Sequence, residues 1–530
     1  MNKKITWRLA LLLAAMVPAL AHGKQDQPNI VMILADDLGW SDLGCYGSGI
    51  ETPNLDRLAE NGIRFTQMHN TAKCFTSRAC LLTGLYAQQN NIARGPGKLQ
   101  NSVTLAEVLR EAGYRTLAAG KHHGEDNLYD RGFDRYFGLR DGACNYFNPG
   151  KARPGEVEPA HKKAMFPRKW CIDGKTLAPY TPKEKDFYTT DYFTNYALDY
   201  LEEYKNEDKP FFLYLAYTAP HDPLQAWPKD VEKYTGKFMQ GYGFYRKARY
   251  KRMKEMGLID ESFPLSNQTY REWDSLTQAE KVKEDRRMAV YAAMIDCMDR
   301  NIGRVLNKIE EQGELDNTLV LFASDNGCSP GSDSGGFKAY NSGADQGEIG
   351  SMQRYTKLGI DWANVSNTPF QLFKTNAHKG GTCTPLIAYW PKGIDGKNRI
   401  SHKVGHLIDM MPTFIDASGA TYPTEFKGEK VIPMPGQSLV PIFKKREVVR
   451  GKPIFWNYGK GKAIRHENWR LVSDQGSPWR LYNMDVDKTE KTDLSKKYPE
   501  VVSKLSEMHA GWLRSTPTPK QQRKAKKKRK

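Results

Sequence analysis

Four apolar runs along the chain each break off at a polar cluster. Asn29–Ala35 stops at Asp36 and Asp37, Tyr114–Gly120 at Lys121 and His123, Phe211–Pro220 at His221, and Thr318–Ser324 at Asp325 and Asn326. A fifth run, Pro385–Trp390, ends without such a cluster. Runs that are apolar at every position, not at alternate ones, predict strands buried on both faces of a largely parallel sheet. Between them, Asn54–Gly62, Leu105–Gly113 and Met294–Gly313 show helical spacing of apolar residues and end in glycine, as helices commonly do. The sum is an α/β fold. Such sheets bind ligands beyond the carboxyl ends of their strands, and there the runs leave Asp, Asn, Lys and His.

The two ends of the chain read differently from the middle. Met1–Ala21 has a basic start, an apolar run from Leu9 to Leu20 and a small-residue cleavage pattern, the layout of a secretory signal peptide. An exported protein, periplasmic or secreted, is therefore expected, and no later stretch reads as a transmembrane segment. The formal charge is +18, but eight of the basic residues lie in Lys520–Lys530, so the body is only mildly basic. That basic tail, placed at 516–530, reads as disordered, either a holder of an anionic polymer or a solvated end. No recognition motif accompanies it, so nucleic acid is not an expected partner. The eight cysteines are scattered without C-x-x-C spacing, which argues against zinc and leaves one or two disulfides open.

Chemistry collects at the predicted strand ends. Asp36, Asp37, Asp325 and Asn326 are hard oxygen donors from two strands, and oxygen-only ligation favours Ca²⁺ or Mg²⁺ over zinc. Singly, each pair could equally cap a helix or close a turn. Arg78, Lys121, His123, His221 and Lys374 are the candidate partners of a tetrahedral oxyanion. A divalent metal, a cationic ring and a nucleophile together describe hydrolysis of a phosphate or sulfate ester. The nucleophile candidate is Cys74, four residues ahead of Arg78 at the mouth of a helical run.

From Asn29 to Trp512 the chain resembles the sulfatase family of the alkaline phosphatase superfamily, and most of all its arylsulfatase-type members. The blocks that carry the resemblance include NIVMILADDLGWSDLGCYG, CFTSRACLLTG, VTLAEVLREAGYRTLAAGKHH, TLVLFASDNG and FKTNAHKGGTCTPLIAYWPKG. The resemblance implies that Cys74 is oxidised to formylglycine (3-oxoalanine) by a formylglycine-generating or sulfatase-maturing enzyme. Its hydrated form would then attack sulfur and join Asp36, Asp37, Asp325 and Asn326 on the metal. By the same resemblance Lys121, Lys374 and Arg78 offset sulfate charge, His221 with Lys374 protonates the leaving alcohol, and His123 takes the proton that releases sulfate. Two departures stand out. Thr76 occupies the place of the signature proline, and Lys379 stands before paired glycines where the family more often has Glu. His378 and Lys379 are accordingly candidate substrate-binding residues.

The expected architecture is a large mixed, mostly parallel sheet, alkaline phosphatase-like, over 28–420, with a smaller α+β subdomain over 421–515. In the latter the pieces Lys452–Tyr458, Lys462–Val472 and Pro478–Met484 form a small antiparallel sheet, and Pro499–Leu513 a helix on it. Its tryptophans read as core. The basic, aromatic stretch Lys237–Met256 reads as a solvated helix or as a grip on a sulfated glycan, and Asn145–Trp170 as a loop shaping a substrate mouth. The expected substrate is a sulfated carbohydrate or an aryl sulfate. The rivals are a phosphodiester or phosphonate ester hydrolase of the same superfamily and a non-catalytic binder of sulfated glycans.

Overall fold

The structure is a computed structural model and describes residues 27–162, 166–331 and 346–516. The expected signal peptide and all but Thr516 of the basic tail lie outside the described residues. The main sheet is eleven-stranded. In chain order its strands are β1 (Asn29–Asp36), β2 (Ile63–His69), β3 (Arg115–Gly120), β4 (Arg135–Leu139), β5 (Trp170–Ile172), β6 (Lys175–Leu177), β7 (Phe211–Pro220), β8 (Thr318–Ser324), β9 (Cys383–Tyr389), β10 (Arg399–Ser401) and β11 (Gly405–His406). Their spatial order is β10-β2-β9-β8-β1-β7-β3-β4-β5-β6, with β11 on β2. β8, β1, β7, β3 and β4 run parallel, so their carboxyl ends share one edge.

Why the central runs are apolar at every position is visible in β1. Val31, Ile33 and Ala35 enter one core, and Ile30, Met32 and Leu34 enter the other. The first core also takes Leu55 and Leu58 of α1 (Pro53–Glu60) and much of the long Gln278–Glu311 helix. The second takes Leu81 and Leu82 of α2 (Cys74–Thr83), Leu105 and Leu109 of α3 (Leu105–Glu111), and Met410 and Phe414 of the Met410–Ser418 helix. The long helix begins well before the predicted Met294. Thr277 and Glu280 form a capping box at its start, a signal hidden by the polar first turns.

The fifth apolar run is antiparallel. β9 pairs antiparallel with both β8 and β2, so its amino end lies at the shared edge. The polar residues that reach that edge from this strand therefore precede it. The Lys237–Met256 stretch is a helix, Gly241–Glu255, and it is not simply solvated. Tyr242, Arg246, Arg249 and Met253 are buried, with Arg249 donating to Asp42 Oδ1 at 2.6 Å. All eight cysteines are buried free thiols, so the disulfides left open above are not formed.

A short ribbon, β12 (Glu425–Phe426) with β13 (Glu429–Lys430), precedes the small antiparallel sheet of β14 (Ile454–Tyr458), β15 (Gly461–His466), β16 (Trp469–Ser473) and β17 (Arg480–Asn483). The piece Lys462–Val472 is thus a hairpin, turning at Glu467, which takes φ 54°. Leu505 of the Pro499–Ser515 helix covers Ile464, Leu471 and Leu481.

This subdomain is fastened to the main sheet by a buried polar clamp. Arg470 Nε donates to Glu490 Oε1 at 2.7 Å, and Arg470 Nη2 to Ala377 O at 2.7 Å and Thr382 Oγ1 at 2.9 Å. Glu490 Oε2 accepts the Lys379 backbone N–H at 2.8 Å and meets His378 Nδ1 at 3.1 Å. The guanidinium also lies 4.2 Å from the Trp456 ring centroid. Burial alone would raise the Glu490 carboxyl, but His378 and Arg470 outweigh it and bring the group down to about 2. A carboxylate lowered on folding stabilises the fold fully above its unfolded value near 4.5, and that contribution disappears as pH falls toward 2. Glu490→Gln should therefore flatten the dependence of urea-unfolding free energy on pH between those values. Glu490→Ala, which strands the Arg470 charge, should cost about 3 kcal/mol at neutral pH.

Candidate active site

The register of the central strands decides where the acids meet. Ala35 of β1 pairs with Ser324 of β8, so the residues that follow are forced side by side. The Asp325 N–H donates to Ala35 O at 3.1 Å, and the Asp37 N–H approaches Asp325 Oδ1 at 3.4 Å. Asn326 Nδ2 donates to Asp37 Oδ1 at 2.6 Å. Asp36, Asp37, Asp325 and Asn326 are all buried.

Cations arrive from three separate elements. Arg78, on α2, donates through Nε to Asp325 Oδ2 at 2.8 Å and through Nη1 to Lys121 O at 2.7 Å, and its Nη2 lies 3.8 Å from Asp36 Oδ2. Lys121 follows β3 and its ammonium binds Asp36 Oδ2. The close approach of β3 to β7 there needs Gly120. It takes φ 120°, and a Cβ would sit 1.9 Å from Ala216 O. Lys374 binds Asp37 Oδ1 from the loop ahead of β9. His221, after β7, places Nε2 3.5 Å from Asp37 Oδ2, and its Nδ1 lies 2.5 Å from Asp222 O.

Cys74 is the first residue of α2 and is buried. Its sulfur and one carboxylate oxygen each of Asp36 and Asp325 lie within 4.8 Å of one another. Thr76 Oγ1 donates to Lys73 O at 2.8 Å and pairs with Thr71 Oγ1 at 2.5 Å, tying down the turn that enters the helix. His123 packs edge-on against Phe75, with centroids 5.7 Å apart, and its Nδ1 is buried without a hydrogen-bond partner among the described residues. Asp37 and His123 have φ of 67° and 61°, sparsely populated for non-glycine residues. Backbone strain of this kind concentrates at functional sites.

Crowding shows in the protonation energetics. Burial and the Asp36 carboxylate push Asp325 up, against the pull of Arg78. Burial would also raise Asp37, but His221, Lys374 and Lys121 hold it well below the usual range. Burial lowers His221 to about 4, although Asp37 opposes that.

The residues fit a hard divalent cation. Asp36 Oδ1, Asp37 Oδ2 and Asn326 Oδ1 are buried without a hydrogen-bond partner among the described residues. Buried oxygens are rarely left so, and a cation would satisfy all three at once. His378 and Lys379 do not join this cluster. His378 faces Glu490, and the Lys379 ammonium lies 4.2 Å from the Phe370 ring centroid.

The family model described as Sulfatase matches residues 28–420. The chain belongs to the sulfatase family. It is 32% identical to an arylsulfatase of Klebsiella aerogenes over 83% of this chain and 97% of the relative. It is 28% identical to the N-acetylgalactosamine-6-sulfatase of Canis lupus familiaris over 86% of this chain and 72% of that one. Among solved structures, Ps i-CgsB in complex with k-i-k-neocarrahexaose superposes with a TM-score of 0.67 at 25% identity, covering 93% of this chain and 94% of that one. This sulfatase is accordingly a sulfuric ester hydrolase with an alkaline phosphatase-like fold and a candidate acidic metal site.

Sequence reasoning missed the supports of this sulfatase site. Tyr291 OH donates to Asp42 Oδ2 at 2.7 Å and reaches Asp37 O at 3.3 Å. Thr384 Oγ1 accepts the Ser324 N–H at 2.9 Å, holding the end of β8 against β9. Neither residue lies next to a site residue in the chain, and no local signal marks them. Arg78→Ala should leave Asp325 buried beside Asp36 with one counter-charge fewer, a loss of about 3–5 kcal/mol in urea unfolding of the metal-free protein.

Proposed function

We propose that this sulfatase removes sulfate from a sulfated carbohydrate outside the cytoplasm, with Cys74 converted to formylglycine as the nucleophile and Ca²⁺ as its metal. One observation carries the reading. Cys74 sits at a buried strand edge with three carboxylates, and three separately anchored cations surround them. That edge offers both halves of what a sulfate ester needs, hard oxygens for a Lewis acid and donors for sulfate oxygens.

Asp36, Asp37, Asp325 and Asn326 would hold the metal, which would supply Lewis acidity to the site. Formylglycine would supply a gem-diol, whose second hydroxyl lets sulfate leave by elimination. Lys121, Lys374 and Arg78 bind and orient the sulfate oxygens. His221 and Lys374 are placed together to protonate the departing alcohol oxygen, and His123 takes the proton that accompanies sulfate release. The catalytic role is assigned to 28–420 and a supporting role to 421–515. Carbohydrate is favoured because a solved neighbour carries a neocarrahexaose and a curated relative is named for a sulfated sugar. The Met1–Ala21 layout supports export and hence contact with such polymers. Among the described residues no helix is long and apolar enough to cross a membrane.

Protein from its native host should hydrolyse 4-nitrophenyl sulfate far faster than bis(4-nitrophenyl) phosphate, and the opposite preference would favour the phosphodiesterase reading. His221→Ala should lower kcat by about 10²–10⁴ on a sulfated oligosaccharide, whose alkoxide leaving group needs a proton. On 4-nitrophenyl sulfate, which leaves without one, the same variant should lose far less. Chelation with EDTA should abolish turnover and lower Tm, and Ca²⁺ should restore both.

A further inference from the structure

A cavity of about 490 Å³ has none of Asp36, Asp37, Cys74 and Asp325 on its lining. Its apolar walls include Trp40, Leu258, Phe263 and Phe370, and Lys379 and His402 are among its polar residues. Lys379 is 1% exposed. Among the described residues its ammonium has no hydrogen-bond acceptor and no carboxylate within salt-bridge distance, only the Phe370 face at 4.2 Å. Glu490, which accepts the Lys379 backbone N–H, is also committed to Arg470 and His378. A cation–π contact offsets only part of the cost of burying an ammonium.

Other groups on the lining share the imbalance. Trp40 packs edge-on against Phe370 at 5.3 Å, and its indole N–H is buried without an acceptor among the described residues. Gln67, also on the wall, accepts a hydrogen bond at 2.8 Å from Arg465, a buried guanidinium with no carboxylate partner among the described residues. The two acids of the lining are taken: Asp260 by Lys488 at 3.3 Å and Glu261 by Lys254 at 3.1 Å. Burial, reinforced by Arg465 and Arg470, lowers the Lys379 amine to about 8. Two unsatisfied donors at an aromatic wall, with surplus positive charge behind it, call for an acceptor anion on an apolar body.

We propose that this cavity binds a small cyclic organic monoanion, bearing a carboxylate, sulfate or sulfonate group, at a site separate from the catalytic centre. The Lys379 ammonium and the Trp40 indole N–H donate to its anionic oxygens, and the ring packs among Phe263, Leu258 and Phe370. Such an anion could be a free aryl acid or an acidic unit of a carbohydrate chain, which share this chemistry.

Calorimetric titration of the full chain with naphthalene-2-sulfonate, which has no ester bond to hydrolyse, tests the site. The expected result is one binding site that Lys379→Met weakens by about tenfold or more, that Lys379→Arg retains, and that Lys374→Ala leaves unchanged. Lys379→Gln is measured alongside, so that a folding failure of the methionine variant does not remove the comparison. Displacement of the probe by glucuronic acid but not benzoate would assign the source to a sugar acid, and the reverse to a free aryl acid; either supports the site. Unchanged affinity in the Lys379 variants, loss of binding in Lys374→Ala, or no binding at millimolar probe would overturn it.

Discussion

Asp36, Asp37 and Asp325 are buried at neighbouring strand ends because β1 and β8 pair in a register that leaves them no other place. Three carboxylates out of water repel one another and forfeit hydration, a cost of several kcal/mol per ion unless partners are supplied. Much of the surrounding structure supplies them. Arg78 comes from α2, Lys121 from the end of β3 and Lys374 from the loop before β9, each fixed by a different packing interaction. Even so, three oxygens of the cluster keep no hydrogen-bond partner among the described residues. The same repulsion that threatens the fold is what prepares the edge for a divalent cation and, beside it, for Cys74.

The C-terminal subdomain is part of that arrangement. Glu490 and Arg470 grip the segment from Ala377 to Thr382, immediately after Lys374. Trp456 Nε1 donates to Asn70 O at 2.6 Å, four residues before Cys74. Two of the segments that carry candidate catalytic groups are therefore braced from the smaller sheet. Stability of the subdomain and geometry of the site are coupled through these contacts.

How legible this was from the sequence depended on range. β1, β7 and β8 were plain because both faces of each strand are buried, which makes the runs apolar throughout, and their polar stops were the site residues themselves. The direction of β9 was not legible, because an apolar run carries no sign of which way its connection returns it. His378 and Lys379 were expected near the pocket from their nearness to Lys374 in the chain. Leu372 and Thr375, however, take φ of 65° and 74° and turn the loop, and Lys374 meets Asp37 while the Lys379 ammonium lies over Phe370. The Arg470–Glu490 clamp was invisible because its meaning lies in contacts with Ala377 and Thr382, some ninety residues earlier in the chain.

Cys74, the proposed nucleophile, lies within this cluster, and the signature residue that differs, Thr76, lies two positions away. Mass spectrometry of the tryptic peptide Cys74–Arg78, from protein made in its native host, tests this most directly. The expected peptide carries formylglycine in place of cysteine. An unmodified thiol in protein that nonetheless hydrolyses sulfate esters would contradict it.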